Sequence, residues 1–231
     1  KRVFQIHGID SSGKVIVRRP VKRRDVLAFA AQLPPCVIGM EACATAHHWA
    51  RELGKLGHEV KLIPPAYVKA YVRRQKNDAA DAAAICEAVT RPAMRFVPVK
   101  SAEQQAVLML HRVRELLVGQ RTALINALRS HLAEFGVVAP QGARHVAELV
   151  AVVADAGDIR LPDIAHVALA PLVQQMQRLE AEIGHLDRRL LAWHRADETS
   201  RRLATIPGIG PVTATAMVAS VTDPSMFNSG R

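Results

Sequence analysis

The stretch Cys36-Val37-Ile38-Gly39-Met40-Glu41 decides the fold. A short apolar run bounded by Pro34-Pro35 and by the small residues Ala42–Ala44 reads as a buried strand. Its last residue is a carboxylate, which costs several kcal/mol there unless a cation or hydrogen bonds compensate. Working outward, Val3–Ile9 and Lys14–Val21 are β-branched runs around the turn-forming Asp10-Ser11-Ser12-Gly13, the pattern of a hairpin. Arg24–Leu33 has helical spacing and ends at the two prolines. Thr45–Leu56 reads as an amphipathic helix closed by Gly57, and Glu59–Ile63 as the next strand. Tyr67–Arg74 is a short basic helix or loop, and Asn77 or Asp78 caps a helix reaching about Val89. Strands alternating with helices give an α/β layer fold.

The composition then changes. Ser101–Phe135 lacks breakers and opens on the capping box Ser101-x-x-Gln104, so it predicts one long helix ended by Gly136. Val137–Pro162 reads as looser chain. Ala165–Trp193 carries Leu172, Met176, Leu179, Ile183, Leu186, Leu190 and Trp193 at steps of 4, 3, 4, 3, 4 and 3. That seam serves two helices packed antiparallel, a coiled coil that also joins protomers, or both at once. The expected divisions are 1–100, 101–200 and 201–231.

Charge narrows the partners. The 231 residues carry a net charge of +10. Residues 1–77 hold 15 Lys and Arg against 5 Asp and Glu, and residues 78–231 hold 16 of each. The whole surplus sits in the first third, which points to a polyanion or to a surface kept basic for solubility. The three cysteines form no C-x-x-C pair, so a zinc site is not expected. No stretch of 18 apolar residues occurs, and no membrane span is expected.

Asp78 and Asp81 lie three apart, on one face of the helix they begin, with Cβ atoms about 5–6 Å apart. Two like charges that close favour a cation, and Mg²⁺ or Mn²⁺ suits carboxylate oxygen. Glu41 reaches the same place if its strand end lies beside that helix. Singly, Asp78 could be a capping acid, and Asp81 could pair with Arg74 or Lys76. His47 and His48 stay outside this set, as packed or solvated helix residues. Lys69, Arg73, Arg74 and Lys76 precede Asp78 and are either phosphate contacts or an exposed basic face. Ile206-Pro207-Gly208-Ile209-Gly210-Pro211 opens an apolar helix, Val212–Val221. Backbone N–H groups at Gly208 and Gly210 could hold a DNA phosphate, or the segment is simply a tight interhelical turn.

Gly39-Met40-Glu41-Ala42-Cys43-Ala44-Thr45-Ala46-His47-His48-Trp49-Ala50-Arg51 and Lys76-Asn77-Asp78-Ala79-Ala80-Asp81-Ala82 resemble signatures of the DEDD transposases of the insertion sequence 110 family. Ile206–Pro211 with Thr213-Ala214 resembles that family's second-domain signature, and Phe96–Lys100, Glu103–Gln105 and Arg121–Asn126 are also similar to it. The resemblance spans the chain. It implies a RuvC-like (RNase H-type) α/β domain, long antiparallel helices forming a coiled coil, and the start of a helical C-terminal transposase domain. It implies a recombinase that cuts and rejoins DNA with Mg²⁺ or Mn²⁺, guided in at least some members by an RNA. Glu41, Asp78 and Asp81 match the second, third and fourth acids of the DEDD set. Homo-oligomers through the coiled coil and a cytoplasmic, nucleoid-associated bacterial setting are implied too. The family's first Asp lies on a strand before the segment matching Lys1–Phe4, and Asp10 is not its equivalent. Its serine nucleophile lies beyond Arg231, and Ser220, Ser225 and Ser229 do not replace it. The chain is therefore expected to be a fragment without activity of its own. Two other readings are a RuvC-like junction nuclease and a non-catalytic nucleic-acid-binding assembly protein.

Overall fold

The computed structural model describes residues 2–71 and 77–227. These fall into two compact units, one drawn from residues 1–103 and 221–231, the other from 104–220.

The first unit opens with the hairpin: β1 (Val3–Ile9) pairs antiparallel with β2 (Val15–Lys22). Asp10 closes its turn by accepting the Ser12 and Lys14 N–H groups at 2.9 and 3.0 Å. A single 3₁₀ turn, Arg23–Asp25, leads into α1 (Val26–Ala30). This helix is shorter than the expected Arg24–Leu33. Gln32 and Leu33 donate to the carbonyls of Phe29 and Ala30 in tighter turns, and Pro34 disfavours helical backbone just before it. The deciding stretch forms β3 (Val37–Glu41), followed by α2 (Ala46–Lys55) and β4 (Glu59–Ile63). β3 and β4 pair in parallel, with Glu41 opposite Ile63. Gly57 ends α2 at a φ of 89°, the left-handed conformation expected of a C′ glycine. Two short turns, α3 (Pro65–Val68) and a 3₁₀ segment Lys69–Tyr71, precede α4 (Asp78–Val89).

Period-two alternation sorts these strands between two layers of helix. Ile38, Met40 and Val60 pack with Phe4, Ile6 and Val21 of the hairpin against Trp49 and Leu53 of α2 and Val26 and Ala30 of α1. The alternate residues face α4, where Ile63 is fully buried with Val68, Ala84 and Ala88. α4 also lies against β1. The unit is thus an α/β structure with helices on both faces of small sheets.

His58 ties the first of these layers together. It is buried; its Nε2–H donates to the Ala30 carbonyl at 3.1 Å, and its Nδ1 accepts the Cys36 N–H at 3.3 Å. The ring thereby joins the end of α1 to the chain entering β3. His58→Ala removes both of these bonds and leaves a cavity, so a loss of about 2 kcal/mol is expected in urea unfolding.

The second unit is helical. α5 (Ala102–Ala133) and α7 (Asp163–Ala196) run antiparallel. Val107 of α5 meets Leu190 of α7 at one end, and Leu128 and Leu132 meet Leu169 and Val173 at the other. Between these ends Arg114 Nε lies 2.5 Å from Asp187 Oδ1. Met176, Leu179, Ile183 and Leu190 of the predicted seam are buried. The expected loose segment 137–162 contains α6 (Val146–Ala154), whose Leu149 and Val153 complete the core between the two long helices. Two short helices follow, α8 (Glu198–Leu203) and α9 (Pro211–Ser220). His111 Nε2 and Thr215 Oγ1, 3.0 Å apart, join α5 to α9, and His194 Nδ1 and Ser200 Oγ, 2.8 Å apart, join α7 to α8.

Candidate functional site

The predicted acids sit at the end of β3 and in the first turn of α4, two elements that pack together. Asn77 caps α4 by accepting the Ala80 N–H at 2.8 Å, so Asp78 and Asp81 occupy the first turn of the helix. There the partial positive charge of the helix start favours carboxylates. Gly39 sets the approach of the two elements. A Cβ built on it would lie 3.0 Å from Val89 Cβ and 3.1 Å from Ile85 Cγ2. The α4-facing side of β3 therefore contacts the helix at Ile85 and Val89. Glu41 is two residues beyond Gly39, on the same side of the strand, and its ladder partner Ile63 packs on α4. Asp81 is one helical turn before Ile85, on the same stripe. Glu41 and Asp81 are half-buried, and Asp78 is exposed at the helix start.

Among the described residues no group of three or more His, Cys, Asp or Glu side chains gathers closely enough to hold a metal ion. Among the described residues Glu41, Asp78 and Asp81 do not stand together as a complete three-ligand set. Sequence spacing supports the helical pair and the strand carboxylate, but does not fix how the faces meet. Gly39 carries that signal, as the one residue in its strand small enough for the helix contact.

The other predicted residues are placed separately. Lys69 is exposed in the turn after α3, whereas Arg73, Arg74 and Lys76 lie outside the described residues. Gly208 has a φ of 88°, and a Cβ on Gly208 or Gly210 would meet nothing within 4 Å. The turn before α9 thus needs a glycine at Gly208, and its backbone is open on that side. Among the described residues no helix is long and apolar enough to cross a membrane.

His47 is a packing residue here. Its Nδ1 accepts the Lys100 N–H at 3.1 Å, while Arg51 donates to the Lys100 carbonyl at 2.7 Å. Burial, then the nearby charges of Lys100 and Arg51, push the His47 pKa below its ordinary 6.5. The unfolded chain therefore takes up a proton that folded His47 resists. Stability is full above pH 6.5 and falls as pH drops through that value toward the lowered folded pKa. Burial and Arg114 lower His111 in the same direction. His47→Gln is expected to flatten part of this acid-side loss, which thermal melts across pH 5–7.5 measure.

Comparison with known proteins fits this geometry. A family signature described as "Transposase", of the DEDD IS110 type, matches residues 1–136, and another described as "Transposase IS116/IS110/IS902 family" matches residues 200–231. The chain is 48% identical over its full length to a protein of Sinorhizobium fredii named as a transposase, and spans 59% of that protein. It is 49% identical to a protein of Pseudomonas aeruginosa named as a family 20 transposase, covering all of this chain and 69% of that one. Identity to the transposase for insertion sequence element IS1328 of Yersinia enterocolitica is 39%, covering all of this chain and 68% of the relative. With a matching signature over more than half its length and full-length resemblance to these relatives, the chain belongs to the IS110 family of transposases.

Proposed function

We propose that this chain forms the DNA-cleaving α/β part and the helical middle of a transposase that cuts and rejoins DNA, and that Glu41 and Asp81 work in one site with Asp78 at its edge. The close approach of β3 to α4 at Gly39 supports this reading most directly, because it turns the acid-bearing faces toward each other. The RNase H-like assignment of the first unit draws support from its mixed antiparallel and parallel pairing and from helices on both faces. Among the described residues β1 and β3 each pair along one edge only, which leaves room in such a sheet for a further strand. Magnesium or manganese would meet Glu41 and Asp81 only with ligands from outside the described residues. The open Gly208–Gly210 turn suits a DNA phosphate, because it presents backbone without side chains. A guide RNA and self-association through the long helices belong to the same proposal.

Glu41→Gln tests it. This change keeps the shape and removes the charge. In the complete protein it should abolish cleavage of DNA carrying the element's ends, while leaving DNA affinity within about twofold. Unchanged cleavage would remove Glu41 from the site and favour the nucleic-acid-binding assembly reading.

A further inference from the structure

We propose that the basic cleft at the open end of the β1–β2 hairpin binds the phosphodiester backbone of duplex DNA through Arg2, Lys22 and Arg24. The cleft has a volume of about 400 Å³ and is lined by Arg2, Val3, Lys22, Arg23 and Arg24. Strand register brings these residues together. Val3 pairs with Lys22, and the Arg23 N–H donates to the Arg2 carbonyl at 2.9 Å, which extends the ladder by one step. Arg2, Lys22 and Arg24 are exposed.

Little nearby offsets this charge. Residues 1–24 contain eight Lys and Arg and one acid, Asp10. Asp10 sits in the turn at the opposite end of the hairpin, where Ser12 and Lys14 already hydrogen-bond its carboxylate. Arg24 lies 3.5 Å from Asp25, but both side chains are more than half exposed and the pair is weak. Arg23 is held differently, with its guanidinium 5.1 Å from the Trp49 ring and 5.8 Å from Phe4. It acts as a fixed post between aromatic rings, while the other three cations reach outward. Crowded cations in an open cleft repel one another until an anion spans them. A phosphodiester chain does that with repeated charge, and it needs no apolar anchor.

Position adds to the case. Trp49 stands in the first turn of α2, which begins at Ala46, five residues after Glu41. The cleft is therefore at the end of the unit where β3 delivers its carboxylate. A duplex held there would pass beside the proposed site. This last point rests on the transposase reading, whereas the binding itself does not.

Fluorescence anisotropy of a labelled random-sequence duplex, titrated with this chain between 50 and 200 mM salt, separates the two. The triple variant Arg2→Gln, Lys22→Gln, Arg24→Gln should bind at least about tenfold more weakly, with a log–log salt slope shallower by about 2–3. The single Arg24→Gln, exposed and safe for folding, should lower the slope by about one, and Lys14→Gln at the other end of the hairpin should leave it unchanged. No cleavage is read, so failure of the acidic-site proposal leaves this result intact. An unaltered slope in the triple variant would overturn the inference. So would an equal effect from Lys14→Gln, or a loss confined to an RNA duplex of the same sequence.

Discussion

Asp81→Asn in the complete protein is expected to slow DNA strand cleavage by about a hundredfold or more, with duplex affinity retained within about twofold. The size follows from what the substitution removes. Asp81 is half-buried on the stripe of α4 that contacts β3, and the change removes its negative charge from that face. The change keeps volume and leaves the Asn77 cap, since that bond runs to the Ala80 N–H. A purely capping or surface-pairing role for Asp81 predicts something else: a stability change of about 0–1 kcal/mol and normal cleavage. Single-turnover cleavage measured beside a thermal melt distinguishes the two.

Gly39→Val should impair both folding and cleavage. The added Cβ would sit 3.0 Å from Val89 Cβ, and the two γ-methyls would have nowhere to go without displacing α4. Overpacking of this kind costs about 1–3 kcal/mol and sometimes more, because the blocking atoms belong to the stiff β-branched side chains of Val89 and Ile85 and not to a flexible side-chain end. Any chain that still folds carries Asp78 and Asp81 farther from Glu41, so cleavage should fall more than stability alone explains. Gly39→Ala should lie between, at about 1 kcal/mol. Urea unfolding of the three chains gives the ordering. A Gly39→Val chain as stable as the parent would show that the helix does not approach the strand this closely.

The strands were legible because period-two alternation and proline stops leave little choice, and β3 and β4 fall close to their predicted bounds. The long helices were legible from unbroken apolar periodicity. Their antiparallel pairing was one of two readings of the seam on α7, and the Val107–Leu190 and Leu132–Leu169 ends show that packing directly. α6 is not legible in the sequence for a physical reason. Val146-Ala147-Glu148-Leu149-Val150-Ala151-Val152-Val153-Ala154 is rich in valine, a poor helix former, and only burial of Val146, Leu149 and Val153 makes the helix worthwhile. α1 is shorter than its spacing predicts: Leu33 fits the helical period, but Pro34 disfavours helical backbone in its predecessor.

The acidic residues were legible singly from composition and spacing. Their relation was not, because it depends on which side of β3 meets α4. Local sequence cannot state that; the contact of Gly39 with Ile85 and Val89 does. The cleft at Arg2, Lys22 and Arg24 was hidden for a similar reason. Arg2 is distant in sequence from Lys22 and Arg24 and meets them only through strand register. His47 and His58 went the other way: residue types that suggest ligands are used for backbone hydrogen bonds.

A double-mutant cycle on cleavage by the complete protein bears most directly on whether the strand acid and the helix acid serve one reaction. Glu41→Gln, Asp81→Asn and the double variant are compared in single-turnover assays on the same DNA. A shared site predicts that the double variant is barely slower than either single one, since residues acting as a unit are strongly non-additive. Losses that multiply independently, or parental rates in either single variant, would contradict it.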